Sequence, residues 1–160
     1  MQEATTPPSV ERVTQALAEA GATGQVRPLD DSARTAKEAA AALGVEVGQI
    51  ASSLIFLADG DPVLVVASGG HRVDTAKVAA LLGVSEVDKA TADDVRAATS
   101  FVIGGVAPLG FPAPIRTLVD VDLSQYDEVW AAGGHSHWVF PTTYTELLRL
   151  TGGQAANVGE

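Results

Sequence analysis

Two apolar runs held apart by a short turn signal constrain this chain more than any other feature. Residues 53–58 (Ser-Leu-Ile-Phe-Leu-Ala) and 62–67 (Pro-Val-Leu-Val-Val-Ala) flank Asp59-Gly60-Asp61. β-Branched and aromatic side chains suit a pleated strand, and Asp-Gly supplies the backbone freedom that a tight antiparallel turn needs. An antiparallel hairpin is therefore expected. Residues 101–103, 115–119, 128–131 and 138–140 read as further strands, with 25–29 and 86–89 as weaker candidates.

Helices are marked by their ends. Ser9 is placed to cap a helix running to about Ala20, with Val10, Val13, Ala16 and Leu17 as its apolar stripe and Gly21 as its stop. Thr35 with Glu38, and Thr143 with Glu146, have capping-box spacing; they predict helices over 36–43 (closed by Gly44) and from Thr143 to about Leu150. Asp74 is expected to cap residues 75–82. Thr91 opens a short helix whose Asp93 and Asp94 favour its positive end. Helices alternate irregularly with strands, one pair of which is a hairpin. This pattern favours an α+β (mixed α/β) fold, a mixed or antiparallel sheet wrapped by helices, over a doubly wound parallel sheet.

Composition narrows the function. A chain of 160 residues buries roughly two-thirds of its unfolded surface, enough for one core. The expected organisation is a short disordered leader over 1–8 and a single domain over 9–159. With no cysteine there is neither a disulfide framework nor a thiolate zinc site. Its apolar stretches are too short for a bilayer, and the first residues lack a basic patch and an apolar core, so a cytoplasmic protein without membrane contact is expected. The net charge of −10, with the basic residues scattered, excludes tight non-specific nucleic-acid binding; a weak encounter with one end of a nucleic acid is compatible with it.

Familiar catalytic motifs are missing: no Gly-x-Ser-x-Gly elbow, no phosphate loop and no dinucleotide glycine fingerprint. Two glycine-rich stretches remain. Gly104-Gly105-Val106-Ala107-Pro108-Leu109-Gly110 follows an expected strand, and paired glycines let main-chain N–H groups approach a ligand. The same residues also make a tight connection between strands. Gly133-Gly134-His135-Ser136-His137 places two histidines that point the same way if the chain is extended. They read as a hydrogen-bonding pair, as an imidazole orienting water, or, with His71, as metal ligands. His71 by itself is a turn residue after Gly69-Gly70. Ser52 and Ser53 open a strong strand, as cleft hydroxyls or as satisfied structural ones.

Four stretches in order resemble the YbaK/ProX family, the aminoacyl-tRNA editing domain found free-standing or inserted in prolyl-tRNA synthetases. They are residues 35–40 with Leu43-Gly44-Val45; residues 49–56; the Gly104–Gly110 loop; and residues 129–134 through to 143–151. The resemblance implies a compact, barrel-like mixed sheet flanked by helices, and a cleft for the aminoacylated 3′ end of a tRNA. The implied reaction is hydrolysis of the ester of a mischarged tRNA of the Cys- or Ala-tRNA(Pro) kind. It also implies a possible synthetase partner and no cofactor or metal. On this reading Ser52, Ser53, Gly104 and His137 are the catalytic candidates. Thr35, Gly105, Pro108, Gly133, Gly134 and His135 are the substrate-binding candidates. The family usually has lysine at the position of Ser52, and serine supplies neither that charge nor that reach. Lys37 and Arg72 are the basic residues considered as stand-ins. The same departure supports a second expectation, a non-catalytic module of this fold that binds an aminoacyl, nucleotide or protein ligand.

Overall fold

A computed structural model describes residues 6–30 and 34–160; most of the expected leader, residues 1–5, lies outside the described residues. The hairpin is β2 (Ile50–Ala58) and β3 (Asp61–Ser68), paired in register from Ala51↔Ser68 to Ala58↔Asp61. Its turn puts both Asp59 (φ 47°) and Gly60 (φ 89°) in the left-handed region, as a primed turn requires. The Asp59 carboxylate also accepts the N–H groups of Ser85 and Glu86, which anchors the turn to the strand that follows.

Around this hairpin the chain adds β1 (Arg27–Pro28), β4 (Val87–Lys89), β5 (Arg116–Asp120), β6 (Val129–Ala132), β7 (Trp138–Thr142) and β8 (Gln154–Ala156). The sheet runs β1-β7-β6-β2-β3-β5-β8, and β4 joins the free stretch of β2. The pairs β2–β6, β3–β5 and β5–β8 are parallel and the others antiparallel, so the sheet is mixed, as expected.

Helices α1 (Pro8–Glu19), α2 (Ala36–Leu43), α3 (Thr75–Leu82), α4 (Ala92–Thr99) and α5 (Tyr144–Thr151) cover both faces. Strand alternation decides which. Ala51 and Ile55 of β2 face Val13 and Leu17 of α1, Val95 of α4 and Leu147 of α5. Phe56 and Ala58 face Val78 and Leu82 of α3, and Ile50 faces Ala39 and Ala40 of α2. No helix among the described residues is long and apolar enough to cross a membrane.

The caps correct the sequence in detail. α1 starts at Pro8 behind Pro7, and Ser9 lies inside the helix; the fixed φ and missing N–H of proline suit a first helical position, and the Pro7 carbonyl accepts the Val10 and Glu11 N–H groups with no side-chain cap. Thr35 and Thr143 accept the N–H groups of Glu38 and Glu146, but neither glutamate returns the bond. Glu38 takes the Arg34 N–H, and Glu146 takes the Thr142 hydroxyl and the Thr23 N–H, tying α5 to the chain after α1. Thr91 and Asp94 do make the reciprocal box, and those bonds from Thr91 lower the Asp94 pKa, the backbone bond most.

Residues 101–103 form no strand. α4 ends at Ser100 in a left-handed turn (φ 62°), Phe101 is buried, and Val102 and Ile103 turn outward, 47% and 60% exposed. The Val102 carbonyl then accepts the Gly105 N–H at 3.0 Å, closing a turn where the apolar residue types had suggested a strand.

Candidate functional site

The site begins with an interruption in strand pairing. One edge of β2 is fully paired with β3, whereas the other meets β6 only at Ile50 and Ala51 and β4 only at Phe56 to Ala58. Among the described residues, no strand covers residues 52–55 on that edge. The Ile50 carbonyl accepts the Gly69 N–H just beyond β3, and the Asp59 N–H donates to the Glu86 carbonyl just ahead of β4. Main-chain groups of alternate strand residues point to opposite edges, so Ser53 and Ile55 present their N–H and C=O groups to the gap.

A cavity of about 410 Å³ occupies this notch. Its walls come from residues 34–36 and Ala39 at the start of α2, from β2, from Lys89, Ala90 and Val95, from Ile103, Gly104 and Val106, and from β6 with Val139. The walls are predominantly apolar. By the alternation of β2, Ser52 lies on the face of Ile50 and Phe56, and Ser53 on that of Ala51 and Ile55. The Ser53 hydroxyl and the Trp130 indole N–H are both buried with no hydrogen-bond partner among the described residues, a costly condition for polar groups.

Of the residues singled out from sequence, Thr35, Ser52, Ser53 and Gly104 line this one cavity. Gly104 is left-handed (φ 92°), and a methyl there would stand 3.4 Å from the Cβ and Cγ of Arg34. The Thr35 hydroxyl oxygen is engaged as the α2 cap. Gly105, Pro108, Gly133, Gly134, His135 and His137 are not among the lining residues. Pro108 lines a separate depression of about 290 Å³ with Gly110, Phe111 and Leu150. Gly105 instead lets its loop touch the second glycine turn, since a methyl there would lie 2.8 Å from the His135 Cα. Gly134 packs under α1, where a methyl would come within 2.7 Å of the Ser9 carbonyl oxygen. The second turn thus supports the first loop from behind, and its glycines and histidines are not part of the cavity lining.

The histidines also separate. The rings of His135 and His137 lie 5.9 Å apart, in a turn where the His137 N–H points at His135 Nδ1 (3.3 Å). His71 sits between two carboxylates, with Nε2 2.5 Å from Asp120 and Nδ1 3.0 Å from Asp122. Asp120 is fully buried and also accepts the N–H groups of Ser68 and Asp122. Gly159 lies against the imidazole, where no side chain fits. Among the described residues, the group close enough to share a metal ion is therefore His71 with Asp120 and Asp122; the trio of His71, His135 and His137 does not assemble.

Two residues enter the site that sequence reasoning passed over. Arg34 and Lys89 line the cavity, and no carboxylate does among the described lining residues. Lys37 and Arg72 do not line it. The signals were faint: Arg34 directly precedes a helix cap, and Lys89 ends a short strand whose partner the sequence does not specify. Chemically, the notch offers main-chain donors, a hydroxyl and two cations around an apolar hollow, a combination suited to an acyl group attached to something polar and anionic.

The sequence profile of the aminoacyl-tRNA editing domain matches residues 30–150. A solved structure described as "a putative trans-editing enzyme for prolyl tRNA synthetase" shares the fold with a TM-score of 0.91 and 44% identity, over 98% of this chain and 99% of that one. The "Putative Cys-tRNA(Pro)/Cys-tRNA(Cys) deacylase EbsC" of Enterococcus faecalis is 27% identical over 125 residues, 78% of this chain and 76% of that protein. A proline--tRNA ligase of Nitratidesulfovibrio vulgaris is 32% identical over 103 residues, which is 64% of this chain but 18% of the ligase. The chain thus spans less than a fifth of the length of that synthetase. With the profile covering most of its residues and the fold shared almost throughout, this chain belongs to the aminoacyl-tRNA editing domain family.

Proposed function

We propose that this chain is a single editing unit over residues 9–159 that hydrolyses the ester between a wrongly attached amino acid and the terminal ribose of a tRNA, of the Cys- or Ala-tRNA(Pro) kind. The observation that carries the reading is the shared cavity of Gly104 and the unpaired β2 edge at residues 52–55. Main-chain N–H groups fixed in a largely apolar hollow stabilise the oxyanion that forms when water adds to an ester carbonyl, at no reorganisation cost during the step. Water supplies the nucleophile, the ribose oxygen leaves with a proton, and no covalent intermediate on a side chain is required. Ser53, whose hydroxyl has no hydrogen-bond partner among the described residues, is suited to orient the water or the ester. His137 and His135 receive no role in the reaction, because neither lines the cavity.

Serine at position 52 favours a second reading, a module that binds the acylated end without turning it over. The two separate on one experiment with alanyl-, cysteinyl- and seryl-tRNA(Pro). The editing reading expects release of at least one amino acid above background, and a faster rate in Ser52→Lys by up to about a hundred-fold, the scale of one well-placed charge in a transition state. Binding of a non-hydrolysable aminoacyl-adenosine analogue with no turnover selects the binding module. No release across the panel, from either Ser52→Lys or the unaltered chain, overturns the editing reading.

A further inference from the structure

The chain carries 20 acidic against 10 basic side chains, yet among the described residues the cavity at the β2 notch is lined by two cations and no acid. Most other cations with a described role are tied to the protein itself. Arg12, Lys77, Arg116 and Arg149 donate to main-chain carbonyls, and Arg27 stacks over Trp130. The side chains of Arg34 and Lys89 make no hydrogen bond or ion pair to a described residue; both residues are exposed. The Arg34 stem lies along Gly104, the loop residue that opens the cavity, and Lys89 enters from β4, opposite Phe56. The same lining carries exposed apolar surface, with Ile103 60% and Leu54 39% exposed. An inorganic anion would use the charges and leave this apolar surface wet; a nucleotide uses both.

We propose that Arg34 and Lys89 form an anion subsite at the mouth of the cavity, which takes the 5′-phosphate of the acylated terminal nucleotide while its sugar and base lie on Ile103 and Leu54. The proposal rests on the editing reading for the acyl group but not for the phosphate. A low-dielectric cleft of one sign concentrates the opposite charge even when the whole protein repels it. The guanidinium fork adds directed hydrogen bonds to phosphate oxygens. On this view the positive charge missing at position 52 reaches the ligand from the rim of the cavity, acting on a phosphate and not on the ester.

Four probes test the two ideas separately: adenosine, adenosine 5′-monophosphate, and the 3′-deoxy-3′-(alanylamino) derivative of each, titrated calorimetrically against the intact chain, Arg34→Gln, Lys89→Gln and Arg34→Lys. The phosphate is expected to tighten binding about ten-fold in both pairs at low salt, the scale of one charge-assisted contact. That gain is expected to shrink as salt rises, to fall several-fold in either glutamine variant and to persist in part in Arg34→Lys. Equal affinity with and without phosphate, a phosphate gain unchanged in both glutamine variants, or no binding of any probe overturns the subsite. A phosphate gain without any gain from the alanylamino group keeps the subsite and removes the editing reading instead. Both substituted residues are exposed, so loss of the fold is not expected; circular dichroism of each variant verifies this.

Discussion

The two glycine turns are nearly indistinguishable as sequence and opposite as structure. Gly104-Gly105 and Gly133-Gly134 are paired glycines that each hold one residue in the left-handed region, Gly104 at φ 92° and Gly134 at φ 102°. At Gly104, which lines the cavity, the nearest atoms to the space a side chain would fill are those of Arg34, at ordinary van der Waals distances of 3.4–3.6 Å. At Gly134 the same space is filled by the Ser9 carbonyl and Val13 of α1. One glycine keeps room for something from outside, and the other has already given its room to a helix. A positive φ and a missing Cβ therefore do not identify a ligand loop; what stands opposite the missing Cβ does.

The largest effect that separates the two turns is on stability. Gly134→Val adds a β-branched side chain at positive φ and drives it into main-chain atoms of α1. Unfolding free energy is expected to fall by about 3 kcal/mol or more in urea titrations. A loss below about 1 kcal/mol would mean that α1 yields easily, and the contrast between the turns would disappear. Gly104→Ala is expected to cost only about 1–2 kcal/mol, the left-handed penalty for a non-glycine residue. Its larger effect is on function. On the editing reading, the methyl displaces a ligand from the main-chain donors, and deacylation is expected to fall about a hundred-fold. Unchanged turnover in a folded Gly104→Ala protein would remove this loop from the site.

The difference between local and distant information explains what could be read from sequence. Thr91 with Asp94, Asp74 ahead of α3 and Asp59-Gly60 in the hairpin act within a few residues, so their roles were legible. Ser9 misled because Pro7 and Pro8 reach the same helix start without a hydroxyl. The run at 101–103 misled because Ser100 turns the chain after α4, leaving β-prone residues in a bend. Of the site, Ser52, Ser53, Thr35 and Gly104 were recognisable as candidates: Thr35 through the family pattern, the two serines also through their place at the start of a strong strand, and Gly104 also through its loop. The notch that joins them was not. It exists because β2 changes partners from β6 to β4 along one edge, a pairing that depends on strands distant in sequence. Lys89 could be found only with that pairing in hand. Gly134 could be separated from Gly104 only once α1 was known to cross it.

The smallest expected effect falls on the histidines of the second turn, and it bears most directly on what that turn does. If His135 and His137 acted on the ester, removing either imidazole would lower turnover by the hundred-fold or more typical of a general base. The structure keeps both residues off the cavity wall and joins their turn to the Gly104 loop through main-chain contact of Gly105 with His135. That contact survives replacement of the ring, because it involves the His135 backbone. His137→Ala is therefore expected to change deacylation, or binding of the acylated probes, by less than about two-fold. His135→Ala is expected to match it apart from a small loss of stability, since the ring's Nδ1 no longer receives the His137 N–H. A large loss of activity in His137→Ala without loss of stability would place an imidazole in the reaction, and would make the second turn a wall of the site after all.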